Sequence, residues 1–588
     1  MSKSLTLLAI AALVVGGSYS AEKNWRPTAK PVVMPEQSIS TEKAPAIHHN
    51  VPPAALPPVG TYTTLTGYFD YQANGTPQSI RVNPANGNIH VTYMVATDSA
   101  APNGASRRTA YAFSTNGGVT WNNFNNLYLP ARRSGFPSID LLKGPNAGLP
   151  VIGNHNVAGA PSIQSMIYVD SPEGAGAFSE LNAPPLLDPS ATDEPIWPYV
   201  AGANDGSIVI HSSRGTANTN HLNRTPDFTS WQFPAPWKTF TGPNGSGGRN
   251  ATVANSAGRV ATIINAVSPD ITNPSDGGLY LFESTDNGST WGSSVTIHPP
   301  YRIVGADTFG MWVSADITYD GNNVLAALNT SRLDLTSGGL YYDAARIEFW
   351  SAATGLVVAV PHDTTLFVND MNGFAQTNHL TVGGPSIAKS GNSIVIVFQA
   401  FQRDTAPNGF RYSDVWYTVS NNNGVTWSRP VNITNTAAMD ERYPSISKYN
   451  QAGFANIVWQ EDPQPGAYAP SGPDPGALGS RNRQVFYKLT LTDVQQGSSI
   501  PSAFTLAQNY PNPFNPTTKI KYSLPVSSNV SLRIYNTLGQ QVATLVDGYR
   551  AAGEFEAEFS AKDLPSGVYY YTLKAGQFAE TKKMLLVR

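Results

Sequence analysis

Six residues combine types that can divide proton work or hold an anion. Asp193, Glu441 and Glu461 are carboxyl groups, and two carboxyls at one site can take the separate roles of acid and base. Arg133, Arg249 and Arg442 carry guanidinium forks that grip a carboxylate through two parallel hydrogen bonds. All but Arg249 stand among further charge: Arg132 precedes Arg133, Glu194 follows Asp193, Asp440 precedes Glu441 and Asp462 follows Glu461. Asp307 and His379 hold comparable places in other segments. A site built from such a set could divide acid and base roles while clamping an acidic group, or bind that group without turnover. The plainer account of any one of them is a solvated loop charge paired with its neighbour.

Other chemistries are poorly served. The chain has no cysteine, which excludes structural disulfides, Cys-ligated metals and thiol catalysis. Its nine histidines never stand at a metal-ligand spacing. Asp270 and Asp276 bracket a segment that could hold a cation, but no EF-hand type of loop is present. No Gly-rich phosphate loop opens a helix, and no Gly-x-Ser-x-Gly elbow joins a strand to a helix. No cofactor and no metal are expected. A net charge of -3 and a pI near 6.3 argue against nucleic acid as a partner.

Charges scattered over 300 residues need a scaffold, and three turns identify it. Tyr111-Ala-Phe-Ser-Thr-Asn-Gly-Gly-Val-Thr-Trp121 is an alternating strand, a polar turn with glycine, and a tryptophan. The same unit ends at Trp291, with Ser284, Asp286 and Gly288, and at Trp427, with Ser420, Asn422 and Gly424. In the first copy Ser114, Asn116 and Gly118 hold the corresponding places. The short side chain of Asn116, Asp286 or Asn422 can bond backbone amides just ahead of it and close the turn. The glycine supplies φ > 0, and the tryptophan buries a large apolar area on the sheet. A turn accounts for every one of these residues, so their acidic members are read as hairpin staples rather than catalysts.

The chain of 588 residues is too long for one core. Charged residues are only 13% of it, and glycine and proline abound, which suits many short strands and turns. Residues 1–20 have the form of a signal peptide: Lys3, an apolar run from Leu5 to Val15, then Ser18-Tyr-Ser20 before Ala21. Residues 21–60 are Pro-rich and aperiodic, a disordered leader. Over 61–492 an apolar strand recurs in seven units of roughly 60 residues, often led by Pro-Ser-Ile, as at Pro137, Pro385 and Pro444. This spacing predicts an all-β, seven-bladed β-propeller, with six blades as the alternative. The seventh unit lacks a fourth strand, and a spare strand near 61–69 is expected to complete it and close the ring. Segments 97–108, 267–277, 330–344, 402–413 and 462–483 are long connections expected on the face opposite the staples, where function usually sits. Residues 493–502 form a linker, and 503–588 a small antiparallel β-sandwich.

The turns closely resemble the Asp-box, or BNR repeat, of sialidase-like β-propellers. That resemblance implies Arg133, Arg249 and Arg442 as the grip on a substrate carboxylate, with Glu441 or Glu461 and Asp193 as acid and base. The first unit departs from the family: where an Arg-Ile-Pro type of motif belongs, it reads Thr76-Pro77-Gln78-Ser79-Ile80-Arg81. Tyr443 and Tyr199 are present, but neither is identified as a nucleophile with a glutamate partner. The C-terminal stretch Asn509-Tyr-Pro-Asn-Pro-Phe-Asn-Pro516 closely resembles the type A sorting domain of the bacterial type IX secretion system. This implies handling by that machinery and its sortase, a secreted protein at the bacterial outer-membrane surface or in the medium, and a mature form without a transmembrane segment. The leading reading is binding of a glycan or protein ligand through the loop face. A sialidase-like glycoside hydrolase is the runner-up, and a structural envelope or matrix protein the third.

Overall fold

The computed structural model describes residues 59–491 and 504–587, except 69, 71–77, 99–104, 160–161, 183–195, 215–218, 233–238, 242–249, 267–277, 305–306, 336–338, 342–343, 369–379, 468–478, 525–527, 551–552 and 577. The signal peptide, the leader to residue 58, the linker, and Asp193, Glu194, Arg249 and His379 lie outside the described residues. What is described is all-β, with a single 3-10 turn at Gly144–Asn146.

Seven small antiparallel sheets follow one another among the described residues up to 491. Their leading strands are Ile80–Val82, Ser134–Leu141, Ile196–Gly202, Ala251–Ala254, Asp307–Asp320, Val382–Ser390 and Asp440–Ile446. Each leading strand packs against the next, and the seventh against the first. The seventh sheet takes Thr61–Gly67 as its outer strand, with Thr61 opposite Phe486 and Gly67 opposite Asn482. The expected closure by the spare N-terminal strand is thus met. The fifth sheet departs from the repeat by an additional strand, Tyr301–Val304, ahead of its leading strand. The first has three strands, with single bridges at Ala110–Tyr128 and Phe113–Asn122 in place of a fourth.

The Pro-Ser-Ile signature has a physical role at the ring's centre. The Ser138 hydroxyl accepts the N–H of Val200 at 3.1 Å and donates to the Pro198 carbonyl at 2.8 Å. Ser386 accepts the N–H of Ile446, and Ser445 that of Ser79. Except at the start of the fifth, these leading strands have no hydrogen-bonded strand on their inner side, so their amides need side-chain partners from the neighbouring sheet. Serine supplies them.

The three polar turns share one hydrogen-bond pattern. Gly118, Gly288 and Gly424 donate to Ser114, Ser284 and Ser420 at 2.9–3.0 Å. The N–H groups of Thr120, Thr290 and Thr426 reach Asn116, Asp286 and Asn422 at 2.8–2.9 Å. The indoles of Trp121, Trp291 and Trp427 donate to the three glycine carbonyls at 3.0–3.1 Å. A β-carbon on these glycines would strike Phe486, Val209 or Phe349 of the preceding sheet. The turn therefore closes its own hairpin and docks one sheet on the next. The looser turn after Asp170 does the same: Gly174 abuts Phe113, and Asp170 accepts from Gly176 and Ala177.

Residues 504–587 form two facing sheets around Ile520, Tyr522, Leu532, Phe559, Tyr571 and Met584. The Asn-Tyr-Pro-Asn-Pro-Phe signature ties the front of this unit to its last strand. Asn512 accepts the Leu585 N–H at 2.9 Å, and Phe514, buried, exchanges backbone bonds with Leu585 and Val587.

Candidate functional site

Asp440 opens the seventh leading strand and accepts the Ser413 N–H at 2.9 Å. Ser413 lies near the start of Arg411–Ser420, the strand whose far end carries the Ser420 turn. Asp440 therefore sits on the end of the sheets away from the staples, where the long connections lie. Register places Asp440 opposite Asp462, Glu441 opposite Glu461 and Arg442 opposite Gln460.

Strand alternation then splits the expected cluster in two. On one side, the Asp440 carboxylate pairs with Arg442 Nη2 at 2.6 Å, Gln460 bonds Asp70, and Asp462 accepts from Ser480 and from the Gln464 N–H. The Tyr93 hydroxyl lies 2.9 Å from Gln460 Oε1. Burial, offset by Arg442, leaves Asp440 at about 6. Burial together with the charge of Asp70 raises Asp462 well above the carboxylate range.

On the other side are Glu441 and Glu461. The Thr436 hydroxyl lies 2.7 and 2.8 Å from the two Glu441 oxygens. Burial, with the charges of Asp414, Glu461 and Asp440, pushes Glu441 up to about 10, so it is a neutral acid at pH 7. Glu461 accepts from the Tyr62 hydroxyl at 2.9 Å, and Arg483 donates to the same hydroxyl at 2.9 Å. Burial raises Glu461 too.

Arg442 thus does not share a face with Glu441 and Glu461. Consecutive strand residues point oppositely, and no loop intervenes to turn one around. Glu441 is 1% exposed, Glu461 3% and Arg442 2%, each engaged by its own protein partners. Arg133 is half-buried on the second sheet beside Arg107, whose guanidinium is lowered by burial and by the Arg133 charge. Arg132 is held by Asn156 and Glu180, and Asp307 lies 3.8 Å from Arg332 on the fifth sheet. Tyr199 is buried, and Tyr443 half-buried.

A second feature on this face was missed from sequence. Phe136, Trp197 and Tyr443 each precede a proline near the start of a leading strand, with φ of 52°, 53° and 56°. Gly384 holds the same place on the sixth sheet at φ 63°. A register shift marks each position. Phe136 lies edge-on to Trp197 at 6.2 Å and close to His155 at 4.7 Å. Phe410, from the connection in the sixth sheet, packs into this group with Met94 and Ala96 of the first. The sequence signal was the recurring residue ahead of Pro-Ser-Ile, aromatic at 136 and 443 and glycine at 384.

Comparison with known proteins bears on one part of the chain. Residues 508–587 match the family of secretion system C-terminal sorting domains. The chain carries a type IX sorting tail, which implies export to the cell surface or extracellular space. No helix among the described residues is long and apolar enough to cross a membrane. No curated protein matches the chain. Among solved structures it is similar to the polysaccharide lyase Uly1, at 10% identity and TM-score 0.40, covering 76% of this chain and 94% of that one. It is similar to a Dyadobacter fermentans protein of unknown function, at 12% identity and TM-score 0.37, covering 63% and 98%. PorZ, a surface component of the type IX secretion system of Porphyromonas gingivalis, gives 11% and 0.33, covering 91% and 61%. Likenesses this distant carry no functional weight.

Proposed function

We propose that the seven sheets are the blades of an Asp-box β-propeller, delivered to the bacterial surface by the type IX machinery and released from its tail by the sortase. There it binds a glycan or another extracellular macromolecule through the face opposite the staples. The observation that carries this is the strained aromatic set. A side chain at φ > 0 costs roughly 1–2 kcal/mol, and bulky residues there are rare. Gly384 occupies the same position without that cost, so the backbone path does not demand an aromatic. Strain kept at three equivalent places on one face is a pointer to function. Trp197 and Tyr443 are half-buried rather than buried, and an aromatic ring reached by solvent is a surface on which a sugar ring can stack.

The experiment is retention on a polysaccharide panel by affinity electrophoresis, using the full chain and Trp197→Ala. Binding predicts saturable retention that falls about tenfold in the variant, equivalent to one stacking contact of ~1.4 kcal/mol. Retention unchanged by Trp197→Ala refutes this assignment of the face.

The hydrolase reading keeps one observation in its favour: neutral Glu441 stands opposite Glu461, a pairing that suits an acid beside a second carboxyl. It predicts release of product from a fluorogenic glycoside, abolished by Glu441→Gln. Their coverage by Thr436 and Tyr62 favours binding.

A further inference from the structure

Three leading strands, with Lys143 and Lys448 just beyond the second and seventh, send charge into one largely buried place nearer the staple side. Arg81, wholly buried, donates from Nε to Asp140 at 2.8 Å and from Nη1 to its neighbour's carbonyl, Ile80, at 2.8 Å. The other Asp140 oxygen accepts the Gly202 N–H at 3.0 Å and lies 3.8 Å from Lys143 Nζ. Lys143 donates to the Gly202 carbonyl at 2.5 Å and stands over the Tyr449 ring. Lys448 pairs with Asp316 and donates to the Ile387 carbonyl at 2.8 Å. Asp316 also accepts from the Ser386 hydroxyl and the Ile387 N–H.

These groups feel one another. The Arg81 charge works against the protonated form of both Lys143 and Lys448. Burial brings Lys448 down to about 8, still mostly charged at pH 7. Burial and Asp140 raise Tyr449, which stays a neutral phenol. Among the described residues, Arg81, Lys143 and Lys448 pair with Asp140 and Asp316, an excess of one positive charge. Arg81 Nη2 is buried with no hydrogen-bond partner among the described residues. An uncompensated charge and an unmet guanidinium donor in the same interior are costly together.

We propose that this cluster is an anion site, taking a single ion of halide size against Arg81 Nη2 and fastening the first, second, fifth and seventh sheets together. Chloride and bromide are the ions of that size used to test it. One halide cancels the excess charge and accepts the remaining Arg81 N–H, whereas water would do only the second. The site is independent of the ligand face, so the two readings fail separately.

The test uses the full chain at constant ionic strength, exchanging sodium gluconate for sodium chloride or bromide. A ligand that binds only the folded state raises the melting temperature in a saturable way, here by about 2–4 °C. Crystals grown in bromide should show anomalous density within hydrogen-bond distance of Arg81 Nη2. Arg81→Gln should abolish the halide effect. Should that variant not fold, Lys143→Met removes the surplus charge while leaving the Arg81–Asp140 pair, and should abolish it too. Equal melting temperatures in gluconate and chloride, or a bromide-soaked crystal with no anomalous peak at Arg81, would overturn the proposal.

Discussion

Two adjacent glycines in the first polar turn isolate the docking role of these turns. Gly117 and Gly118 have φ of 70° and 86°, so alanine is strained at both. That strain costs roughly 1–2 kcal/mol, partly offset by the ~0.4–1 kcal/mol gained from a stiffer unfolded chain. A β-carbon on Gly117 meets nothing within 4 Å, whereas one on Gly118 falls 2.1 Å from Phe486 Cε1. Phe486 cannot retreat freely, because it is buried against Trp121 in the seam between the first and seventh sheets. Overpacking of that kind adds about 1–3 kcal/mol. The Gly118 carbonyl also takes bonds from Trp121 Nε1 and from the hydroxyl of Thr61 on the closing strand. Gly117→Ala should therefore cost about 1 kcal/mol and Gly118→Ala about 2–4 kcal/mol, read from urea unfolding midpoints by tryptophan fluorescence. Gly424→Ala, where the β-carbon would lie 2.0 Å from Phe349, should match Gly118→Ala. Equal losses at 117 and 118 would refute the docking argument, since only the backbone strain would then matter.

Further outcomes follow from the buried acids. Glu441 is raised to about 10 from an ordinary 4.5, so the folded chain holds a proton that the unfolded chain releases. Its effect is absent below about pH 4.5, and stability falls as pH rises toward 10, by at most ~1.4 kcal/mol per unit. Glu441→Gln, which keeps shape but cannot ionise beside Asp414, Asp440 and Glu461, should flatten that decline; melting curves that stay parallel to wild type from pH 6 to 9 would disprove it. Tyr62→Phe leaves Glu461 and Arg483 without their shared hydroxyl and should cost about 1–3 kcal/mol. It should also speed amide exchange across residues 61–67, and exchange at the wild-type rate would show that this contact does not hold the closing strand.

The repeat was legible because its signals are local. A Ser-x-Asn or Ser-x-Asp turn with glycine and tryptophan fulfils its hydrogen bonds within about eight residues, so Ser114 through Trp121 states its own geometry. The spare strand at Thr61–Gly67 was legible for a related reason: seven units counted along the chain leave one edge unpaired, and an unpaired edge must be covered. The sorting tail was legible as a run of eight residues.

The site was not legible in the same way. Charge near the start of a leading strand says which end of the sheet a residue occupies, but not which of two faces. Glu441 and Arg442 are neighbours in sequence and part company in the sheet, because the strand alternates and the Asp440–Asp462 register decides which side each takes. Asp70, Asp414 and Tyr62 reach the same acids from distant segments, and nothing local announces them. Whether a carboxyl is an exposed base or a neutral buried acid depends on what covers it. Tyr62 covers Glu461 only once the closing strand has joined the seventh sheet. Local hydrogen bonding thus settles the repeat, while register and desolvation, which exist only between sheets, settle the chemistry.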